Sequence, residues 1–70
     1  MTAIPDTVEP PDHPLPALAT FELRNYRRRL EAAIAFARTQ DSAVPVQAAL
    51  QARLRDVLAE QEDRARIAHA

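Results

Sequence analysis

Few side chains in this sequence have the chemistry of a catalytic group, and those few are poorly placed for it. The chain has one serine, Ser42, among turn-forming residues, and two histidines, His13 in a proline-rich stretch and His69. The absence of cysteine excludes a thiol nucleophile and a thiolate metal site, and the absence of glycine excludes a glycine-rich phosphate loop. The histidines also lack metal-ligand spacing. We therefore predict a protein that is not an enzyme, with no catalytic residues, metal or cofactor.

Acidic side chains are numerous near the end of the sequence, but ion pairing explains them better than acid–base catalysis. Glu60 precedes Arg64 by four residues, and Glu62 precedes Arg66 by four residues. An acid placed before a base at this spacing is the more favourable order for an ion pair on a helix. We predict two surface ion pairs here rather than a pair of catalytic carboxylates.

Arginine side chains could form an anion-binding flank on the first predicted helix. All nine Lys-or-Arg positions are arginines, although the net charge of the chain is −1. At about 100° per residue, four of them fall within about 100° of one another: Arg24, Arg27, Arg28 and Arg38. Glu31 lies in the middle of this flank, which is unfavourable for binding phosphate. Nucleic-acid binding through these arginines is therefore the alternative function and the less favoured one.

The first 16 residues have the composition of a disordered segment. They hold five of the six prolines and three acidic residues, with no basic residue. Proline removes a backbone donor and disfavours helix at the preceding residue, and few large apolar side chains are present to offset the ordering entropy. We predict that residues 1–16 are a disordered acidic tail. Pro11 to Pro14 is a P-x-x-P match, which we interpret as a spacer.

Two helical patterns follow within residues 17–70, which makes the expected fold class all-α. The first helix is predicted over about residues 20–38, with Thr20 as N-cap and apolar side chains spaced by three and four. Residues 39–44 are predicted to form a turn, in which Val44 is held out of the helical region by the proline that follows. Pro45 is a natural first residue for a second helix, predicted over about residues 45–67.

The short turn makes an antiparallel hairpin the expected arrangement of the two helices. Folding the chain about Ser42 places Ile34 opposite Leu50. The same fold places Tyr26 opposite Val57 or Leu58. A hairpin buries each stripe on one side only, so we expect completion by a homodimer, as a four-helix bundle or coiled coil, or by another protein. The predicted partner or oligomer interface comprises Leu23, Tyr26, Leu30, Ile34, Phe36, Leu50, Leu54, Val57 and Leu58.

Three large apolar residues lie off these stripes. At about 100° per residue, Phe36 falls about 120° from Leu30, Phe21 falls nearly opposite it, and Ile67 lies off the second stripe. For Phe36, capping of the hairpin end and contact with a partner are equally compatible with the sequence. We expect Phe21 to fold back at the helix start and Ile67 to lie in a frayed last turn.

Together these patterns favour a small interaction protein. We predict a protein–protein interaction module (an adaptor, an accessory subunit or a regulator) that acts through leucine-rich helix faces. The longest apolar run, Ala32 to Ala37, is too short to span a bilayer, and the first residues lack the features of a secretory signal. We therefore expect a cytoplasmic protein without a membrane partner.

Overall fold

The computed structural model describes residues 8–68, which contain two α-helices and no strand. Helix α1 spans Thr20–Thr39 and helix α2 spans Val44–Ala68, and a single 3-10 turn at Leu15–Ala17 precedes them. The expected helices covered about residues 20–38 and 45–67. The prediction of an all-α fold with two helices is confirmed for the described residues.

The N-cap of helix α1 lies one residue earlier than the sequence suggested. Its N-cap is Ala19, not Thr20. The backbone N–H of Ala19 donates a hydrogen bond of 2.9 Å to Oε1 of Glu22, and its carbonyl accepts one of 3.0 Å from the N–H of Leu23. Alanine has no side-chain acceptor, so only the glutamate half of a capping box is present. The carboxylate of Glu22 also lies at the positive end of the helix dipole.

Helix α1 ends in a Schellman motif that uses an aspartate where glycine is usual. The N–H of Ser42 donates to the carbonyl of Ala37 at 2.9 Å, and the N–H of Asp41 donates to the carbonyl of Arg38 at 3.3 Å. This pair of bonds requires a left-handed residue between them, and Asp41 has a φ of 53°. Because the chain contains no glycine, a short polar side chain that tolerates this conformation fills the position.

Helix α2 begins at Val44, so the residue before Pro45 is helical, contrary to the expected preference. The carbonyl of Ala43 accepts hydrogen bonds from the N–H groups of Val46 and Gln47, at 3.0 and 3.2 Å. Pro45 lies in the first turn, where its missing N–H removes no helical bond. The side chain of Gln47 donates to the carbonyl of Ser42 at 2.7 Å and ties the turn to the helix.

The two helices pack antiparallel around a small apolar core. Its buried residues are Leu18, Leu23, Leu30, Ala33, Ile34, Ala37, Leu50 and Val57. Most come from α1, where the small side chains of Ala33 and Ala37 are fully buried and let the second helix approach. Two hydrogen bonds join the helices, from Arg53 to Tyr26 and from Arg27 to Gln61. These bonds bring Tyr26 to residue 53 and its neighbour Arg27 to residue 61. The partners expected for Tyr26, Val57 and Leu58, lie between these two positions in the sequence.

Residues 8–18 lie against the helix pair, and we call them the strap. Leu18 is buried, and Val8 and Leu15 are partly buried against the core. The predicted disorder of residues 1–16 therefore differs from what the structure shows for residues 8–16, while residues 1–7 lie outside the described range. The difference has a physical reason: three spaced apolar side chains bury surface here, and arginines of α2 bind the backbone carbonyls of the strap.

Candidate interaction surfaces

The helix pair has two broad faces, and the strap covers one of them. We call the face beneath the strap the covered face and the other one the open face. On α2, Arg53 and Arg64 lie on one side of the line through the buried Leu50 and Val57, and both contact the strap. At about 100° per residue, Leu58 lies on the opposite side of that line. The two faces therefore differ in what occupies them, although the same helices form both.

Arg53 holds the first part of the strap. Its Nη2 donates a hydrogen bond of 2.9 Å to the carbonyl of Val8, and its Nε donates one of 2.8 Å to the hydroxyl of Tyr26. Its guanidinium carbon also lies 5.4 Å from the centroid of the Tyr26 ring, within cation–π range. Among the described residues Arg53 forms no ion pair, so its donors are directed at tyrosine and at backbone rather than at a carboxylate.

Arg64 holds the second part of the strap through a cluster of carbonyl groups. Its Nη2 lies 3.1 Å from the carbonyl oxygen of Leu15 and 2.8 Å from that of Leu18, with the oxygen of Pro16 at 3.4 Å. Its Nε donates to Oε2 of Glu60 at 2.9 Å, as the sequence predicted for this pair. Glu60 fixes the plane of the guanidinium group, which then points Nη2 at the carbonyl groups of the strap.

The middle of the strap stands away from the helices and leaves two clefts. They have volumes of about 400 and 420 Å³, and Pro10, Pro11, His13 and Tyr26 line both of them. The strap is therefore anchored near its two ends and spans the ring of Tyr26 between them. Among residues 8–68 no group of three or more His, Cys, Asp or Glu side chains could hold a metal ion.

The open face carries an uncharged row of side chains along α2, which we call the seam. Its positions are spaced by four and three residues in alternation: Gln47, Gln51, Leu54, Leu58, Gln61 and Ala65. This is the heptad spacing of a helix that packs lengthwise against another helix. Leu58 is 38% exposed, and Leu54 is partly buried against the core. A large apolar side chain is thus left open to solvent in the middle of an uncharged row.

Helix α1 contributes charged side chains to the open face. Arg27 lies about 100° around α1 from Tyr26, the residue that faces the strap. Its Nη1 donates to the side-chain carbonyl of Gln61 at 2.9 Å, and its Nε donates to Oε2 of Glu31 at 3.2 Å. The Arg27 side chain remains 41% exposed. Arg27 therefore borders the seam and links its Gln61 end to α1.

The structure separates the predicted interface residues into two groups. Leu23, Leu30, Ile34, Leu50 and Val57 are buried inside the hairpin of a single chain. Tyr26, Phe36 and Leu54 are partly buried, and Leu58 is exposed. The first group holds the hairpin together, so a partner can reach it only if the helices separate. The binding role of the whole set stays a prediction.

The predicted arginine flank is also divided. Arg24, Arg28 and Arg38 are exposed, whereas Arg27 is engaged with Glu31 and Gln61. The ion pairs among the described residues involve Arg27, Arg64 and Arg66. Arg66 pairs with Asp63 rather than with the predicted Glu62, because a residue three positions away is also adjacent on a helix. Among the described residues, no hydrogen bond or ion pair of the side chains holds Arg24, Arg28 and Arg38 in one arrangement.

Two features were missed or misplaced by the sequence reasoning. No role was predicted for Arg53, and Arg64 was predicted only as half of a surface ion pair. Arg53 lies three residues after Leu50, and Arg64 lies seven residues after Val57. That spacing places them beside the core line, and it is the signal that could have found them. Phe21 was expected to fold back at the helix start, but its side chain is 65% exposed, since it lies nearly opposite the buried stripe of α1.

Comparisons with protein-family models, with curated proteins and with solved structures give no match for this chain. Across residues 8–68, neither helix combines the length and the hydropathy needed to cross a bilayer.

Proposed function

We propose that this chain is a non-enzymatic protein–protein interaction module that self-associates through its open face. The observation that carries the proposal is Leu58, exposed at the centre of the uncharged seam on the face that the strap leaves uncovered. Two copies joined along this face form a four-helix bundle, and the assembled bundle acts as an adaptor, accessory subunit or regulator.

The spacing of the seam supports pairing with a second copy. About a two-fold axis, two antiparallel α2 helices place Leu54 of one copy against Leu58 of the other, and Gln51 against Gln61. The leucines then cover each other, and the glutamine side chains can donate and accept hydrogen bonds across the interface. The seam spans residues 47–65, which are 18 steps of about 1.5 Å, or about 27 Å of helix. Arg27, at its border, stays at the rim, where charged groups retain solvent.

Sedimentation equilibrium combined with circular dichroism tests this proposal. We expect the wild-type chain to be a dimer whose helicity falls on dilution, because the hairpin core is small. Leu58→Asp should shift dissociation to at least tenfold higher concentration, since a carboxylate would be buried against apolar side chains.

Ala59→Asp is the matched control, because it adds the same charge one residue away on the exposed side of α2. It should dimerise like the wild type. A wild-type chain that is fully helical and monomeric at millimolar concentration would contradict self-association. Equal effects of the two substitutions would contradict the assignment of the seam.

The alternative is a nucleic-acid-associated regulator that uses the exposed Arg24, Arg28 and Arg38. The exposure of these three side chains favours it, while the net charge of −1 and the carboxylate of Glu31 within the flank oppose it. Binding to duplex DNA that weakens steeply with salt and is lost on joint Arg24→Glu and Arg28→Glu substitution would support this alternative.

A further inference from the structure

The hydrogen bonds that hold the strap are made to its backbone, while Val8, Leu15 and Leu18 pack against the core. The carbonyl oxygens of Val8, Leu15 and Leu18 accept hydrogen bonds from the two strap-binding arginines of α2. Between these anchors, Pro10 and Pro11 line the clefts beside the Tyr26 ring. Backbone carbonyls are present in every peptide, so these polar contacts require a chain of the right shape rather than one particular sequence.

We infer that the groove formed by Tyr26, Arg53 and Arg64 is a recognition site for an extended, proline-containing segment of a partner protein. In the isolated chain, the strap occupies this groove as an internal ligand. The site lies on the face opposite the seam and does not depend on the proposed self-association.

The chemistry of the groove matches this class of ligand. Proline holds a chain extended before binding, so less conformational entropy is lost, and it has no N–H group that would need an acceptor. An aromatic ring beside proline is the usual feature of sites for such segments. The arginine donors suit the carbonyl groups that an extended chain presents, and Arg53 has no carboxylate partner to compete for its donors among the described residues.

The strap competes with a partner segment for the groove. It is joined to α1 through Ala19 alone, so its effective concentration at the groove is on the order of millimolar. A segment supplied by another molecule binds only the fraction of molecules in which the strap is released, and its apparent affinity is reduced by that fraction. Weakening the strap should therefore strengthen binding in trans.

A synthetic peptide with the sequence of residues 8–18 tests the inference on the full-length chain. Tyr26 is the only tyrosine, the chain has no tryptophan, and the peptide contains neither, so tyrosine fluorescence reports the groove directly. We expect weak binding to the wild type. Binding should be at least tenfold tighter to Leu15→Asp, which weakens the strap and leaves the groove intact. It should be lost when Arg53→Gln is added to Leu15→Asp.

Two controls keep the outcome decisive. Val8→Asp weakens the other end of the strap and should raise the affinity in the same direction. A peptide with its four prolines replaced by alanine should bind at least tenfold more weakly. Equal affinity for the wild type and both strap variants would overturn the inference, as would equal affinity for both peptides.

A further outcome would show that the strap only stabilises the fold and is not a ligand of a recognition site. If the strap variants lose helicity and excess peptide does not restore it, the groove is no recognition site and the inference fails. Leu58→Asp should bind the peptide as the wild type does, because Leu58 lies on the other face. Failure of the dimer and failure of the groove are therefore distinguishable.

Discussion

The covered face and the open face show how the same residue type acts in two ways on one helix pair. On the covered face the side chain of Arg64 is 27% exposed, and its donors point at backbone carbonyls of the strap. On the open face Arg27 is 41% exposed and pairs with Glu31, which is 48% exposed. The neighbouring groups, rather than the arginine itself, therefore decide whether a helix cation binds backbone carbonyls of another segment, as Arg64 does, or binds side chains beside solvent, as Arg27 does.

The largest effect on stability is expected from Leu30→Ala, because Leu30 belongs to the core that lies beneath both faces. Leu30 is fully buried, at 0% exposed. The substitution should lower the free energy of unfolding by about 2–5 kcal/mol, because it removes buried methyl groups and leaves a cavity. This is comparable to the whole stability of so small a domain, and urea unfolding followed by circular dichroism should show a largely unfolded chain.

Leu58→Ala is the control for this substitution, since the same groups are removed from a partly solvated position on the open face. Measured on dilute monomer, its loss should be about 1 kcal/mol, because Leu58 is only partly buried and its truncation leaves no closed cavity. Equal losses for the two leucines would show that the open face is already covered within one chain.

An intermediate effect is expected for Arg64→Gln, which acts on the covered face. Hydrogen bonds from a charged donor contribute about 1.5–3 kcal/mol when buried, and partial exposure reduces the expected loss to about 1–2 kcal/mol. Hydrogen exchange should accelerate at the N–H groups of Ala17 and Leu18, which are bonded within the 3-10 turn. Arg66→Gln, on an exposed side chain, should change neither measurement. Unaltered exchange in Arg64→Gln would mean that the strap is held by its apolar side chains alone.

The smallest effects should come from the two glutamates that pair with these arginines. Glu60 is 18% exposed and orients Arg64, so Glu60→Gln should destabilise by about 0.5–1 kcal/mol. Glu31→Gln should cost about 0.3 kcal/mol or less, and 1 M salt should abolish even that. Urea unfolding at low and high salt measures both. A larger loss of stability for Glu31→Gln than for Glu60→Gln would contradict the expectation that the ion pair on the covered face is the stronger of the two.

The hairpin could be predicted from sequence because its signals are local and periodic. The spacing of Leu23, Tyr26 and Leu30 defines one buried stripe, and Pro45 marks the start of the second helix. The pair Glu60–Arg64 was correct for the same reason, since four residues along a helix fix the neighbourhood of a side chain. Even here the exact ends moved: Ala19 replaces Thr20 as N-cap, with Glu22 accepting a hydrogen bond from the Ala19 N–H and no side chain of the N-cap residue acting as acceptor.

The strap could not be predicted in this way because its contacts join residues that are far apart in the sequence. Composition counts prolines and acidic residues, and by that measure residues 8–16 resemble the segment before them. The contacts of Val8 with Arg53 and of Leu15 with Arg64 span more than 40 residues, with separations of 45 and 49. No window of local sequence contains both partners, so the covered face emerged only from the three-dimensional arrangement.

The left-handed Asp41 has a consequence for heat tolerance. Holding an L-residue in this conformation costs about 1 kcal/mol relative to glycine, and in a domain of this size about 1 kcal/mol corresponds to about 4–8 °C of melting temperature. The melting temperature of the hairpin is therefore lower than its packing alone would give. Asp41 is exposed and belongs to neither face. This loss of melting temperature is therefore independent of the residues that contact the strap and of those proposed to contact a partner.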